Sequence, residues 1–370
     1  MEIRQFLLER YYGQYEFTTP RQLSASDCES LSIGELMELA AIPASELFDL
    51  RMGYTETRGA PALRDEIAQL YPRCTADDVL VCNAPQEAIF LSMHAMLAPG
   101  DRVVVMTPCY QSLKDVAGSI GCEVVEWALV DTERGWRLDL ERLDDLLSDE
   151  TRLLVTNAPH NPTGYLPSRA EWKRIAGLVE ERDARWFSDE MYRGLEPVGD
   201  LALEPGASCV PGALSLWGTS KSFGCPGLRI GWLACTDAAL LTRIEELKDY
   251  TSICSNAPGE LLARAALLAR DELLQRNRER IAAHRTLVDE LCVDHADLLR
   301  WHAPIAGPVA LARIEGETAS AHAGRVRTEA GALLVPGKLF DLDDHYLRIG
   351  LGRADFPDAI ERWRSVLERL

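Results

Sequence analysis

Short apolar runs alternate with longer segments of helical periodicity through the first two thirds of the chain. The apolar runs have the length of buried strands, whereas the longer segments repeat apolar residues three and four positions apart, as amphipathic helices do. This alternation favours an α/β fold, a large domain with a mainly parallel sheet covered by helices. The predicted strands are 79–82, 102–106, 122–127 and 152–156, and two of the predicted helices are 138–147 and 170–181.

The pattern changes after Asp237, where long helical periodicity rich in Leu, Ala and Arg extends over 259–295. We interpret these helices as the connection to a second, smaller α+β domain. The apolar runs 333–340 and 346–351 are its predicted strand pieces, and residues 2–13 form a predicted N-terminal helix. The predicted division is therefore a large domain at 45–265 and a small domain formed by 1–44 together with 266–370.

Charge and cysteine content exclude several classes of protein. The net charge of −19 argues against a nucleic-acid partner, because a phosphate-binding surface is basic. Ten scattered cysteines without a C-x-x-C pair give no zinc spacing and favour a reduced, cytoplasmic compartment, and we predict no metal site. No apolar run approaches membrane-spanning length, and the early charges of the N-terminus are unlike a signal peptide.

One stretch carries residues suited to a specific chemistry. Lys221 lies in a turn of small and hydroxylated residues, and Arg229 follows eight residues later, before an apolar run. A lysine amine can form an imine with an aldehyde cofactor, and an arginine fork can hold a phosphate with two hydrogen bonds. The combination predicts a pocket for pyridoxal 5'-phosphate (PLP). A surface lysine in a flexible loop is the alternative for an isolated Ser-Lys pair.

The full string Ser-Lys-Ser-Phe-Gly-Cys-Pro-Gly-Leu-Arg-Ile-Gly at 220–231 resembles the lysine motif of fold-type I PLP enzymes of the class I/II aminotransferase family. Further motifs of that family follow one another in the expected order over about residues 50–355. They are the Gly-Tyr element at 53–64, the His-Asn-Pro-Thr-Gly motif at 160–164 and the Ser-Asp-Glu-Met-Tyr motif at 188–192.

The resemblance implies a role for each matched residue around the cofactor ring. Asp189 is the predicted partner of the pyridine nitrogen, where a buried carboxylate stabilises the proton of the electron sink. Asn161 and Tyr192 are the predicted partners of the 3'-oxygen, and Tyr110 is predicted to stack on the ring. Lys221 is the predicted carrier of the cofactor and the base that moves a proton of the substrate.

The predicted phosphate ligands come from several segments. They are Arg229, a hydroxyl of Thr219 or Ser220, the turn Ala84-Pro85-Gln86 at a helix N-terminus, and Tyr54 of the partner subunit, which implies a homodimer with shared active sites. Pro85 cannot donate an N–H, so Ala84 and Gln86 are the favoured donors there. Many relatives have Ser or Thr at the position of Gly218, a second departure from the family pattern. For Tyr54, a core tyrosine is the alternative interpretation.

Arg348, in Tyr-Leu-Arg-Ile-Gly, resembles the family's ligand for the substrate α-carboxylate, with Asn161 beside it; a surface-paired strand arginine is the alternative. The predicted function is an aminotransferase that exchanges an amino group between an amino acid and a 2-oxo acid through a Lys221 Schiff base. Two alternatives stay open: a PLP-dependent lyase, cyclase or oxidase acting on an amino acid such as arginine, and a non-catalytic protein with the same fold.

The polar stretch 18–32 has two equally supported interpretations, a solvated loop or a segment that covers the active site. A guanidinium substrate would require carboxylates near its side-chain end. Glu16, Asp27 and Glu29 are the candidates in or near this stretch, and a solvated loop charge is the alternative for each.

Overall fold

A seven-stranded sheet forms the centre of the computed structural model, which describes residues 2–197, 199 and 201–370. Its strands, in spatial order, are Val79–Asn83 (β2), Ile230–Ala234 (β10), Leu214–Gly218 (β9), Arg185–Asp189 (β8), Thr151–Asn157 (β7), Arg102–Thr107 (β3) and Glu123–Ala128 (β4). Strand β10 is antiparallel to both of its neighbours, and the other pairings in this sheet are parallel. The strands of the described residues are β1 (Arg21–Gln22), β2 (Val79–Asn83), β3 (Arg102–Thr107), β4 (Glu123–Ala128), β5 (Val130–Thr132), β6 (Gly135–Arg137), β7 (Thr151–Asn157), β8 (Arg185–Asp189), β9 (Leu214–Gly218), β10 (Ile230–Ala234), β11 (Leu299–Trp301), β12 (Val309–Ile314), β13 (Ala332–Leu333), β14 (Val335–Pro336) and β15 (Tyr346–Gly350).

Helices cover both faces of this sheet, which is why its central strands are almost fully buried apolar runs. The predicted α/β architecture is thus confirmed. The α-helices are α1 (Leu7–Tyr15), α2 (Ile33–Leu39), α3 (Ala44–Phe48), α4 (Pro61–Ala68), α5 (Ala84–Met96), α6 (Ser112–Ile120), α7 (Leu140–Leu146), α8 (Arg169–Glu181), α9 (Gly206–Cys209), α10 (Ala238–Lys248), α11 (Ala257–Leu268), α12 (Arg270–Asp294), α13 (Ala319–Arg325) and α14 (Phe356–Leu367).

A second, antiparallel sheet has the order β11-β12-β15-β14 and follows the 25-residue helix α12. The N-terminal strand β1 pairs with β13, which directly precedes β14 of this sheet in the sequence. The predicted domain boundaries at 45 and 265 stay predictions.

Two sequence-based expectations for these terminal segments were wrong in part. Residues 2–6 are not helical, and α1 begins at Leu7. The predicted strand 333–340 ends at Pro336, and Gly337–Phe340 form a 3₁₀ turn. A Cβ atom on Gly337 would lie 2.6 Å from the Cβ atom of Tyr346, so this turn requires the close approach that only glycine allows.

Residues 23–29, which we call the N-terminal strap, lie between the two parts of the molecule. The Gly350 N–H donates to the carbonyl of Leu23 at 2.7 Å, and the Glu29 N–H donates to the carbonyl of Gly352 at 2.9 Å. On the other side, the Cys28 N–H donates to the carbonyl of Lys221 at 3.3 Å. The strap is therefore hydrogen-bonded both to the small sheet and to the lysine turn.

No helix in the described part of the chain is both long and apolar enough to cross a membrane.

Candidate active site

Lys221 follows the carboxyl end of β9, and its amine lies against the N-terminal strap. Nζ donates a hydrogen bond to Oγ of Ser26 at 2.8 Å. Burial lowers the pKa of Lys221, and the nearby positive charge of Arg348 acts in the same direction, whereas Asp27 opposes it. An amine with a lowered pKa, on a half-buried side chain, is suited to act as a nucleophile or a base near neutral pH.

Asp189 ends β8, the strand next to β9, and its carboxylate is buried. Oδ1 accepts a hydrogen bond from the Met191 N–H at 3.1 Å. Burial raises the pKa of Asp189 to about 7, and the adjacent carboxylate of Glu190 adds to the rise, while Lys221 lowers it. Asp189 is paired with Leu216 of β9, the strand that leads to Lys221. The buried carboxyl group of Asp189 is therefore suited to pair with a protonated nitrogen of a ligand.

Arg348, on β15, is fully buried, and each of its hydrogen-bond partners is neutral. Its guanidinium donates to Oδ1 of Asn161 at 3.1 Å, to the Tyr12 hydroxyl at 2.5 Å and to the carbonyl of Ser24 at 2.9 Å. Its Nε atom has no hydrogen-bond partner among the described residues. A buried cation without an anionic partner is costly, so the arrangement favours an anionic ligand such as a carboxylate.

The two predicted aromatic ligands lie in the same region. Tyr192 is buried, which raises its pKa, while a hydrogen bond with Ser26 and the charge of Arg348 oppose that rise. Tyr110 donates its hydroxyl hydrogen to Oε1 of Glu9 at 2.8 Å, and both Asp189 and Arg348 act on its pKa electrostatically. The structure therefore brings these two tyrosines together with the predicted lysine, aspartate and carboxylate-binding arginine.

Asn161 is held in place by the turn that follows β7. Its N–H donates to Oδ1 of Asn157 at 2.7 Å, and the Asn157 amide donates to the carbonyl of Asp189 at 3.0 Å. These bonds join the turn to the end of β8. Since Asn161 also accepts from Arg348, it connects the large sheet with the small one.

The predicted phosphate corner lies where α5 begins beside the β9–β10 pair, and two of its predicted donors are already used. The Ala84 N–H donates to the carbonyl of Arg229 at 2.9 Å, and the Thr219 hydroxyl donates to the carbonyl of Ile230 at 3.1 Å. We therefore retain neither Ala84 nor Thr219 as a phosphate donor. Oγ of Ser220 is buried and has no partner in the described structure, so it is available, as is the first turn of α5 at Gln86.

The two departures from the family pattern, Pro85 and Gly218, are in contact. A Cβ atom on Gly218 would lie 3.0 Å from Cγ of Pro85 and 2.9 Å from the carbonyl oxygen of Ile230. A Cβ atom on Gly231 would lie 2.7 Å from the Pro85 nitrogen. The proline ring thus packs onto a surface formed by two glycines, and a serine or threonine at position 218 would displace it.

The side chains of Arg229 and Tyr54 make no hydrogen bond to the other predicted site residues within the described chain. The Arg229 side chain is exposed and donates to the carbonyl of Pro226 at 2.9 Å. Tyr54 is 91% exposed, which contradicts the alternative interpretation as a core tyrosine. Their roles toward a phosphate stay predictions.

Sequence reasoning did not identify Tyr12 or Ser26 as site residues. The only signals were the one-turn spacing of Leu8 and Tyr12 on α1 and the polar stretch 18–32. Within that stretch, Ser24 accepts from Arg348 and Ser26 accepts from Lys221. Of the candidate carboxylates, Glu16 and Asp27 interact electrostatically with Lys221. Glu29 accepts from the Ala354 N–H at 2.7 Å instead, outside this group of contacts.

Residues 23–359 match the family model for aminotransferase class I and II. The chain belongs to this family. It is 29% identical to capreomycidine synthase of Streptomyces vinaceus, over 94% of this chain and 88% of the relative. It is 32% identical to the arginine–pyruvate transaminase AruH of Pseudomonas aeruginosa, over 92% of this chain and 84% of the relative.

A solved structure of a PLP-dependent aminotransferase from Streptococcus suis superposes with a TM-score of 0.93 at 26% identity and covers 100% of this chain and 99% of that chain. Membership of the family makes PLP the cofactor of this protein. The residues present fit this group, because the unpartnered buried hydroxyl of Ser220, the protonatable carboxyl of Asp189 and the amine of Lys221 lie at or just after the ends of the neighbouring strands β8 and β9.

The pKa of Asp189 predicts how the stability of the cofactor-free protein depends on pH. The folded-state pKa is raised from 3.8 to about 7, so the folded protein binds more protons than the unfolded chain between these values. The contribution of this group to the free energy of unfolding should therefore decrease as pH rises from about 4 to 7, by at most about 1.4 kcal/mol per pH unit.

Denaturant unfolding of the cofactor-free wild type and of Asp189→Asn, measured at intervals from pH 4 to 8, would check this. We expect the variant to gain stability relative to the wild type as pH rises. A constant difference between the two proteins across this range would contradict the raised pKa of the buried Asp189 carboxyl group.

Proposed function

We propose that this protein is a PLP-dependent aminotransferase that exchanges the amino group of an amino acid with a 2-oxo acid. The observation that carries the proposal is the convergence of two functional cations on one segment. Lys221 donates to Ser26, and Arg348 donates to Ser24, two residues earlier in the strap. The strap thereby holds the amine of Lys221 and the guanidinium of Arg348, the proposed ligand for the substrate carboxylate, at a fixed separation.

Bound PLP supplies an electron sink, and the residues of the chain have separate tasks around it. Arg348 binds the α-carboxylate of the substrate by a bidentate contact, which orients the bond to be broken relative to the ring. Lys221, with its lowered pKa, moves the proton of the substrate. Asp189 stabilises the proton of the ring nitrogen, and Asn161 and Tyr192 hydrogen-bond the 3'-oxygen.

The same proposal includes a homodimer in which Tyr54 of the partner subunit completes the phosphate site with Arg229, Ser220 and Gln86. Large apolar side chains are exposed near Tyr54 in the sequence and in the turn after α10, and this exposure supports the proposed homodimer. A surface of this kind is typical of a protein–protein contact. The exposed side chains are Phe48, Met52, Tyr54, Tyr250 and Ile253.

A second candidate function is a PLP-dependent cyclase or lyase acting on an amino acid with a guanidinium side chain, such as arginine. Besides Asp189, three carboxylates interact electrostatically with Lys221: Glu9, Glu16 and Asp27. Glu9 accepts from Tyr110 and Asp27 pairs with Arg353 at 3.0 Å, whereas the carboxylate of Glu16 has no hydrogen-bond or ion-pair partner among the described residues. Glu16 is therefore available to a cationic side chain.

Incubation of the purified, PLP-loaded protein with single amino acids distinguishes the two functions. We expect an aminotransferase to convert its cofactor to pyridoxamine phosphate with a preferred amino acid and to regain the PLP spectrum when a 2-oxo acid is added. Arginine is the first substrate to test, with alanine and glutamate for comparison. Consumption of arginine without pyridoxamine phosphate would favour the cyclase or lyase, and no reaction with any amino acid would contradict both.

A further inference from the structure

The Lys221 amine has a single hydrogen-bond partner among the described residues, and that partner lies far away in the chain. Nζ donates to Oγ of Ser26 at 2.8 Å, across 195 positions of sequence. The carboxylates and arginines near Lys221 act on it electrostatically without a direct bond. The side-chain position of this lysine is therefore set by one hydroxyl group.

The strap that carries Ser26 is fixed on both sides by glycines. A Cβ atom on Gly350 would lie 1.9 Å from the carbonyl oxygen of Ala25, and a Cβ atom on Gly352 would lie 2.3 Å from that of Asp27. On the side of the lysine turn, a Cβ atom on Gly224 would lie 2.4 Å from the carbonyl oxygen of Glu29. Backbone packed this closely has little freedom to move, so the strap holds Ser26 at a defined place relative to Lys221.

The Ser26 hydroxyl can serve two neighbours at once. It accepts the hydrogen of Lys221, since an ammonium group has only donors, and its own hydrogen is then free to be donated. Tyr192 is a second neighbour of this hydroxyl, because burial raises the pKa of the Tyr192 phenol and Ser26 opposes that rise. One hydroxyl thus connects the lysine with the tyrosine expected at the 3'-oxygen of PLP.

We propose that Ser26 is a positioning residue that holds the Lys221 nitrogen and stabilises its protonated form. The proposal rests on the proposed function of Lys221 as the cofactor-binding lysine. An acceptor at 2.8 Å stabilises a charged nitrogen more than a neutral one, so Ser26 opposes the lowering of the Lys221 pKa that burial causes. Loss of the hydroxyl leaves the nitrogen both more acidic and less restricted in orientation.

The test compares Ser26→Ala with Ser26→Thr, which keeps a hydroxyl, and with Ser30→Ala, whose side chain is exposed next to the strap. The first readout is the pH at which the visible absorbance of bound PLP changes, which requires no substrate. We expect this pH to fall in Ser26→Ala, to return toward the wild-type value in Ser26→Thr and to be unchanged in Ser30→Ala.

The second readout is the pH profile of kcat. We expect Ser26→Ala to lower the maximal kcat by about 10- to 100-fold, as for a catalytic group misplaced by about 1 Å, and to move the acidic limb to lower pH. A spectral transition of Ser26→Ala at the wild-type pH would overturn the proposal. A lower kcat in Ser26→Ala would also overturn it if the limbs of the pH profile did not move and Ser26→Thr did not restore kcat. If no amino acid reacts, the proposed function fails, whereas the spectral readout still decides the role of Ser26.

Discussion

Replacement of Lys221 by alanine is expected to abolish the visible absorbance of bound PLP and to lower turnover by at least about 10⁴-fold, the upper range for a positioned acid–base group. The reason is that the proposed function gives Lys221 two roles, because its nitrogen would bind the cofactor covalently and then move the proton of the substrate. The lowered pKa of this buried amine supports both roles. Absorbance spectra of the purified variant with added PLP, together with half-reaction assays, measure the two effects separately.

Lys173→Ala is the matched control, because Lys173 is an exposed lysine on α8, away from the lysine turn. Its spectrum and turnover should equal those of the wild type. Added methylamine is expected to restore part of the turnover of Lys221→Ala, because a small amine can enter the space that the side chain leaves. A yellow, fully active Lys221→Ala would show that another lysine carries the cofactor.

Replacement of Arg348 by lysine is the second large effect that we expect, and it should act mainly on substrate binding. The guanidinium of Arg348 is fully buried, and its partners are the neutral atoms of Asn161, Tyr12 and Ser24. An ammonium group cannot reproduce a bidentate contact with a carboxylate. Because a hydrogen bond to a charged group is worth about 1.5–3 kcal/mol, we expect KM for the amino acid to rise about 10- to 100-fold.

Steady-state kinetics with a reactive amino acid measure this change, and Arg300→Lys is the control. Arg300 lies on β11 of the same sheet, and its side chain is exposed. We expect the control to keep the wild-type KM and the spectrum of bound PLP to be retained in both variants. An unchanged KM in Arg348→Lys would remove this residue from the substrate site.

The alternation of strands and helices could be predicted because the central strands are buried on both faces and therefore form continuous apolar runs. The segments around Asn161, Asp189 and Lys221 could be found because their motifs resemble those of the family, and the structure places each of them at or just after the end of a parallel strand. Here the local sequence determines both the element and the place of the side chain.

Other features depend on contacts between distant segments, which a linear pattern does not contain. The hydrogen bond between Lys221 and Ser26 forms because the strap packs between two glycine-lined surfaces. The Ala84 N–H donates to the carbonyl of Arg229, and the Thr219 hydroxyl donates to the carbonyl of Ile230. Both hydrogen bonds follow from the pairing of β2, β9 and β10.

The contact between Pro85 and Gly218 illustrates the same limit. From the sequence, Pro85 and Gly218 each predict one phosphate contact fewer than in relatives. The structure shows that the proline ring occupies the space beside the glycine. The two positions therefore have to be considered together when the phosphate site of this protein is compared with those of its relatives.

A crystal structure of the protein with PLP tests the central claim most directly, namely that one cofactor binds where Lys221, Asp189 and Arg348 converge. We predict that the Lys221 nitrogen is bonded to the cofactor, that Asp189 lies within hydrogen-bond distance of the ring nitrogen, and that Arg348 faces the open side of the same cavity. PLP bound to a different lysine, or a ring nitrogen that faces away from Asp189, would contradict the account.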